Sequence, residues 1–253
     1  MSVIEIDRVN LSFGGLKALD DLSFHVDREE IFSIIGPNGA GKTSLFNCIS
    51  GFNTPSAGTI KFEGKILNNL KPHNITKLGL IRTFQNLRLF GDMTVEENVM
   101  TSLYCRHKSN VFDALLHTRR YHNEEKDARE VAHKYLRLVG LNKISGRLVK
   151  KLPYGVQKRL EIARALAIEP KVVMLDEPAA GLNHEEKEAL MRIIGEIKKM
   201  GITVLLIEHD MGLVMRISER IIVLNYGRKI AEGSPQEIRD NQEVVEAYLG
   251  REN

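Results

Sequence analysis

Between Gly36 and Ser44 the chain reads Gly36-Pro37-Asn38-Gly39-Ala40-Gly41-Lys42-Thr43-Ser44, and its first eight residues fit the pattern G-x-x-x-x-G-K-[ST]. The glycines permit backbone conformations in which successive N–H groups point inward at phosphate oxygens, where a side chain would block the approach. Lys42 sets an ammonium toward β- and γ-phosphates, and Thr43 offers a hydroxyl to Mg²⁺. The helix that begins there turns its positive dipole end to the same anion. Apolar runs flank the loop, Ile31-Phe32-Ser33-Ile34-Ile35 before it and Leu45-Phe46-Asn47-Cys48-Ile49 after it. Strand, loop and helix in that order predict a nucleoside triphosphate site.

Two further apolar runs end in groups suited to the same chemistry. Val172-Val173-Met174-Leu175 delivers Asp176-Glu177, and Ile202-Thr203-Val204-Leu205-Leu206-Ile207 delivers Glu208-His209-Asp210. Such runs mark strands buried on both faces of a parallel sheet. Behind a phosphate loop, Asp176 fits a carboxylate that holds Mg²⁺ through water, and Glu177 one that polarises an attacking water. Ile81-Arg82-Thr83-Phe84-Gln85 reads as a shorter strand that ends in an amide side chain. Polar groups at Gly36, Gln85, Asp176-Glu177 and His209 then lie along the carboxyl edge of an open α/β sheet, the edge at which such sheets bind ligands.

The elements that must position these groups are legible around them. Ile4-Glu5-Ile6, Val9 to Phe13 and Leu22 to Val26 alternate apolar and polar residues about a Gly14-Gly15 turn, which predicts antiparallel strands. Glu63-Gly64 joins Thr59–Phe62 to Lys65–Leu67 as a tight hairpin. After Gln85 the pattern turns helical. Thr94-Val95-Glu96-Glu97 has capping-box spacing, and Ala128, Val131, Ala132, Tyr135, Leu136 and Val139 repeat at helical intervals up to Gly140. Residues 110–123 are poorly patterned. Leu152 to Gln157 opens a helix over Lys158 to Ile168, with Pro153 suited to a first helical position. Asn183 with Glu186 caps a helix whose stripe is Leu190, Ile193, Ile194 and Ile197. Ile221–Leu224 and Lys229–Ala231 flank a Tyr226-Gly227 turn, and Ser234-Pro235-Gln236-Glu237 caps a last short helix.

Composition bounds the rest. The 253 residues are 43% hydrophobic and 27% charged, with a net charge of +3, and no apolar stretch approaches the length of a membrane span. That charge does not indicate nucleic acid, and Arg119-Arg120 and Lys150-Lys151 read as solvated faces. The opening Met1 to Asp7 carries no export pattern, so a cytoplasmic chain is expected. Cys48 and Cys105 stand far apart, without disulfide or zinc spacing, and Cys48 falls among apolar residues as a small core side chain.

Taken together these residues resemble the ATP-binding subunit of ABC transporters, over a span from Val3 to Gly250. The resemblance implies an α/β fold: a P-loop NTPase (RecA-like) core with a mostly parallel sheet, an antiparallel β subdomain and a helical subdomain. It implies one domain over residues 1–253, with a core of 1–85 and 159–253 and a helical subdomain of 86–158 that ends in the family signature. The implied ligands are ATP and Mg²⁺, and the implied activity is ATP hydrolysis coupled to transport. By this likeness Phe13 stacks on adenine, His209 contacts the γ-phosphate, and Asp176-Glu177 is the Walker B pair. Gln85 links Mg²⁺ to the membrane partner, and Thr43, Gln85 and Asp176 surround the metal. Taken alone Phe13 reads as a core aromatic and His209 as a satisfied sheet-edge histidine; their joint order is what carries the likeness.

Leu152 to Gln157, with Tyr154, Gly155 and Val156 at its centre, stands where the family has L-S-G-G-Q. In a head-to-tail dimer that signature closes over ATP held by the other subunit. Pro153 replaces its usual serine, and Asn183 replaces the aspartate usual in the following loop. Gly79 to Asn86 with Leu89-Phe90, the Tyr154-Gly155 signature and the ending Val245 to Gly250 are similar to the branch that imports branched-chain and other hydrophobic amino acids. That branch implies two transmembrane permease subunits, a second related ATPase subunit and an external substrate-binding protein. It also implies a peripheral place on the cytoplasmic face of the inner membrane. Relatives for urea, lipid or polysaccharide cargo, and soluble ABC ATPases without a membrane partner, remain alternatives at this point.

Overall fold

The computed structural model describes residues 1–85, 87–104, 113 and 118–249. The chain opens with two long strands, β1 (Ser2–Phe13) and β2 (Leu16–Asp27), paired antiparallel across the Gly14-Gly15 turn. Then come β3 (Ile31–Ile35), α1 (Lys42–Ile49) and a hairpin of β4 (Ala57–Phe62) and β5 (Lys65–Ile66). Helix α2 (Pro72–Leu78) and strand β6 (Leu80–Arg82) follow, then α3 (Val95–Leu103), α4 (Arg119–Leu138) and α5 (Tyr154–Ala167). The last third holds β7 (Val172–Asp176), α6 (His184–Lys199), β8 (Thr203–Ile207), α7 (Met211–Ile217), β9 (Arg220–Asn225), β10 (Arg228–Gly233), α8 (Pro235–Arg239) and α9 (Gln242–Leu249). No described helix is long and apolar enough to cross a membrane.

The chain divides into two compact units. The first comprises Met1–Arg82, Lys171–Ala180 and the chain from Ile194 onward. It contains a six-stranded sheet in the order β10-β9-β3-β8-β7-β6 and a four-stranded sheet in the order β2-β1-β4-β5. In the larger sheet β9, β3, β8, β7 and β6 run parallel, and β10 alone is antiparallel. β3, β7 and β8 are buried at every position, as continuous apolar runs in a covered parallel sheet must be. The alternation in β1 and β2 instead puts one face inward, where Phe24 stacks on Phe32 of β3 at 5.5 Å between centroids. Leu45, Phe46 and Ile49 of α1 join the same core.

The second unit comprises Thr83–Pro170 and Gly181–Ile193, wider than the helical segment expected over residues 86–158 because it takes in the whole of α5 and the start of α6. Its helices α3, α4 and α5 pack on one another. Thr94 and Glu97 close the expected capping box of α3, and Ala128, Ala132, Tyr135 and Leu136 form the buried stripe of α4.

Several local expectations shift. The strand expected over Ile81–Gln85 stops at Arg82, because the Phe84 N–H turns to the Glu161 carboxylate, 3.4 Å away, rather than to a strand neighbour. Part of the poorly patterned stretch 110–123 is helix from Arg119, capped by Thr118; the rest, apart from Asp113, lies outside the described residues until Thr118. The helix expected from Lys158 begins at Tyr154, since the N–H groups of Val156 and Gln157 both bond the Pro153 carbonyl at 3.1 Å. Pro153 is therefore the residue before the helix, with φ −57° and ψ 154°, and not its first residue. The capping box at Ser234 forms, but α8 is not last: α9 follows it. Helices α2 and α7 carry no expectation from sequence, being only seven residues each. Cys48 is buried as expected, and burial pushes its thiol up to about 11. Cys105 lies outside the described residues.

Candidate active site

β3 runs straight into the phosphate loop at Gly36, whose φ of 147° lies in a region that side chains avoid; a Cβ there would overlap the Leu224 carbonyl oxygen of β9. The loop spans Pro37, Asn38, Gly39 and Ala40 and closes at Gly41, a left-handed residue that caps α1. Lys42, Thr43 and Ser44 form the first turn of that helix, so its unpaired N–H groups face the loop. Lys42 is buried, and its Nζ donates to the carbonyls of Gly36 (2.6 Å) and Pro37 (2.9 Å). Burial lowers its pKa, and the charge of Glu177 opposes that shift.

The surroundings brace the loop. The N–H of Gly227, in the β9–β10 turn, donates to the Ala40 carbonyl at 3.0 Å, and the Asp20 N–H of β2 donates to the Gly227 carbonyl at 2.9 Å. Burial raises the pKa of the Tyr248 phenol of α9, and the nearby Gly36 N–H opposes that rise. A cleft of about 370 Å³ opens in front of the loop, with Phe13, Lys17, Glu177, His209 and Tyr226 among its walls. Phe13 is half exposed there, with its ring at the mouth of the cleft and not in the core.

β7 and β8 lie side by side, which brings their ends together. Glu177 takes a left-handed φ of 47°, uncommon for a side-chain-bearing residue, while its N–H bonds the Ile207 carbonyl at 2.9 Å. In that pose its Oε1 lies 2.7 Å from Nε2 of His209. Glu208 is buried beneath, with its carboxylate accepting from the N–H groups of Ala179 (2.6 Å), His209 (3.1 Å) and Asp210. Burial raises its pKa and the charge of Glu177 adds to the rise, against the lowering by those N–H donors. Asp176 is also buried and pairs with Arg82, Nη2 to Oδ2, at 2.7 Å.

In the second unit the side chains of α5 hold the chain around Gln85. Lys158 is buried, donates to the Gln85 carbonyl at 3.1 Å and sits 5.6 Å from the Tyr154 ring centre. Glu161 accepts from the Phe84 N–H, and Arg164 donates to the Arg88 carbonyl at 2.5 Å. These three stand at three-residue spacing on one helix face. Gly155 lies against Glu186, whose carboxylate a Cβ would overlap, and Tyr154 packs beside Gly181. Val156 is partly buried in the first turn of the same helix. Glu186 in turn caps α6 reciprocally with Asn183, by bonds of 3.0 and 2.9 Å.

Of the residues picked out in the sequence, the first unit thus brings together Phe13, Gly36 to Ser44, Asp176, Glu177 and His209, while Gln85, Tyr154, Gly155 and Val156 belong to the second. Sequence reasoning passed over Lys17 and gave Arg82, Glu208 and Tyr248 no role of their own within the segments that contain them. Tyr226 entered only as a turn residue, although an aromatic at positive φ (46°) in a hairpin turn, where glycine or asparagine is usual, was a usable signal. A glycine loop that closes on a helix N-terminus, with the buried Lys42 ammonium held beside it, fits a bound polyphosphate. The hard oxygen donors Thr43 and Asp176 fit Mg²⁺.

Parallel strands that converge on a phosphate loop and carry a carboxylate beside it define a P-loop NTPase. Comparison with known proteins narrows the class. The ABC transporter family model matches residues 19–180, and a model described as branched-chain amino acid ATP-binding cassette transporter matches residues 228–252. The chain is 43% identical over 98% of each sequence to the high-affinity branched-chain amino acid transport ATP-binding protein BraF of Pseudomonas aeruginosa. It is 44% identical, again over 98% of each, to LivG of Salmonella typhimurium, which bears the same description. The solved ADP conformation of MJ1267, an ATP-binding cassette of an ABC transporter, superposes with a TM-score of 0.87 at 33% identity, over 99% of this chain and 100% of that one. The chain belongs to the ABC transporter family, as a subunit that binds and hydrolyses ATP.

Proposed function

We propose that this subunit energises the import of branched-chain and other hydrophobic amino acids. It works with two transmembrane permease subunits and a second related ATPase subunit, on the cytoplasmic face of the membrane, and receives cargo indirectly from an external binding protein. The observation that supports this cargo best is the likeness to BraF and LivG along essentially the whole chain, reinforced by the match of the carboxyl-terminal segment to a branched-chain amino acid model.

In this reading Lys42 and the N–H groups of the loop bind the phosphates, and Phe13 stacks on the adenine. Glu177 orients and polarises the water that attacks the γ-phosphate, and His209, hydrogen-bonded to Glu177, contacts that phosphate. Thr43 and Asp176 would hold Mg²⁺, which when bound supplies positive charge to the β- and γ-phosphate oxygens. Tyr154, Gly155 and Val156 present the start of α5 to ATP bound by the partner ATPase, where helix N-terminal N–H groups suit an anion. Gln85, with its backbone held by α5, passes movement between this site and the permease.

The test is reconstitution. Membrane subunits that co-purify with the chain are identified, and ATP-dependent uptake of leucine, isoleucine and valine into vesicles is measured with and without Lys42→Ala. Uptake that requires Lys42 supports the proposal. Uptake of urea instead, or export of lipid or polysaccharide, overturns the cargo, and the absence of any membrane partner overturns the transport role.

A further inference from the structure

Arg82 is the last residue of β6 and the last of the first unit before the chain passes on to Gln85. Only 6% of its side chain is exposed, and the same holds for the side chain of Asp176. Its guanidinium acts as a fork. Nη2 donates to Oδ2 of Asp176 at 2.7 Å, while Nη1 donates to Oδ1 of Asn47 at 2.7 Å and to Oγ of Ser50 at 3.0 Å. The group also lies over the rings of Phe46 and Phe52, 5.5 and 6.0 Å from their centres. A buried ion pair needs only two partners; this arginine instead clamps the end of β7 to α1, the helix that begins with Lys42 and Thr43. A planar guanidinium can bridge both sides at once in fixed geometry, which a lysine cannot.

We propose that Arg82 is a positioning residue for the metal: it fixes the Asp176 carboxylate relative to Thr43, so that a divalent cation meets both oxygen donors already aimed. This rests on the reading of Asp176 as the carboxylate that holds Mg²⁺. Two effects oppose each other. A guanidinium on the same carboxylate repels a dication, whereas outer-shell partners that orient a ligand typically improve metal affinity about 10- to 100-fold. Orientation wins, because Asn47 and Ser50 hold the guanidinium in place and the guanidinium in turn holds Oδ2 of the buried carboxylate.

The probe is Mn²⁺, titrated into the purified full chain saturated with ADP and followed by electron paramagnetic resonance, with ADP affinity measured separately in EDTA. Arg82→Met is expected to weaken Mn²⁺ about tenfold while ADP affinity in EDTA stays within about twofold. Arg82→Lys is expected to fall between wild type and Arg82→Met, and Asn47→Ala, which loosens the clamp from the α1 side, to shift Mn²⁺ affinity in the same direction. Unchanged or tighter Mn²⁺ binding in Arg82→Met overturns the proposal. Should that variant fail to melt like wild type, Arg82→Lys and Asn47→Ala decide instead, and wild-type Mn²⁺ affinity in both overturns it. Asp176→Asn separates the two readings. Wild-type Mn²⁺ affinity in that variant defeats the assignment of Asp176 itself, and with it the proposal; weakened binding there with no effect at Arg82 defeats only the role of Arg82.

Discussion

Nε2 of His209 lies 2.7 Å from Oε1 of Glu177, so the groups that end two adjacent parallel strands form one hydrogen-bonded pair at the edge of the nucleotide cleft. The pair exists because Glu177 takes a left-handed backbone conformation directly after β7 while its N–H still bonds β8.

Glu177→Gln keeps an oxygen for His209 but can no longer accept charge from the attacking water. Steady-state ATP hydrolysis is expected to fall by about 10² to 10⁴, the usual range for a general base, with nucleotide affinity intact. Turnover at the wild-type rate, alongside unchanged binding of a fluorescent ATP analogue, would contradict the role given to Glu177.

Gly36→Ala places a methyl group on the Leu224 carbonyl at a φ that side chains avoid. The loop must shift, and with it one of the carbonyls that hold Lys42. ATP affinity is expected to fall by at least about tenfold, or ~1.4 kcal/mol. Calorimetric titration checks this, and equal affinity would show that the loop absorbs the methyl.

Glu208 supplies a pH test. Its carboxyl is raised above 4.5 by burial, so the folded chain holds that proton more tightly than the unfolded chain does. The resulting stability is fully present below pH 4.5 and lost as pH rises through the raised value. Glu208→Gln lacks this dependence. Its urea midpoint should therefore gain on that of wild type between about pH 5 and pH 8, and the opposite trend would refute the assignment.

Pro153 occupies the capping position of α5 without a side-chain hydrogen bond. Pro153→Ser can supply that bond and Pro153→Ala cannot, while both lose the stiffness of proline equally. The serine variant is expected to be more stable than the alanine variant by about 0.5–2 kcal/mol. Coincident urea curves for the two would mean that the cap does not form.

Cys48, buried with its thiol near 11, is expected to resist a disulfide reagent at about pH 8 in the folded protein and to react fully in urea. A Cys105→Ser background isolates the signal. Rapid labelling of the native form would show that α1 opens readily.

Sequence alone determined those features whose causes are local. Glycine spacing specifies the phosphate loop, unbroken apolar runs specify β7 and β8, and the Thr94-Glu97, Asn183-Glu186 and Ser234-Glu237 pairs each specify a helix start within four residues. The short helices α2 and α7 are too brief to show a period and form because Ile75 of the first and Leu213 and Val214 of the second bury against the surrounding fold. Only tertiary structure decided the rest. Arg82 and Asp176 are separated by 94 positions and no motif links them, yet parallel pairing of β6 and β7 sets them within one hydrogen bond. Glu208 read as one more polar residue after a strand until β7 and β8 paired and folded the Ala179 N–H onto it. Tyr248 reaches Gly36 only because α9 returns to the phosphate loop. A residue type announces which bonds it can make, but a buried charge finds its partner through strand order and register, and those are properties of the whole sheet.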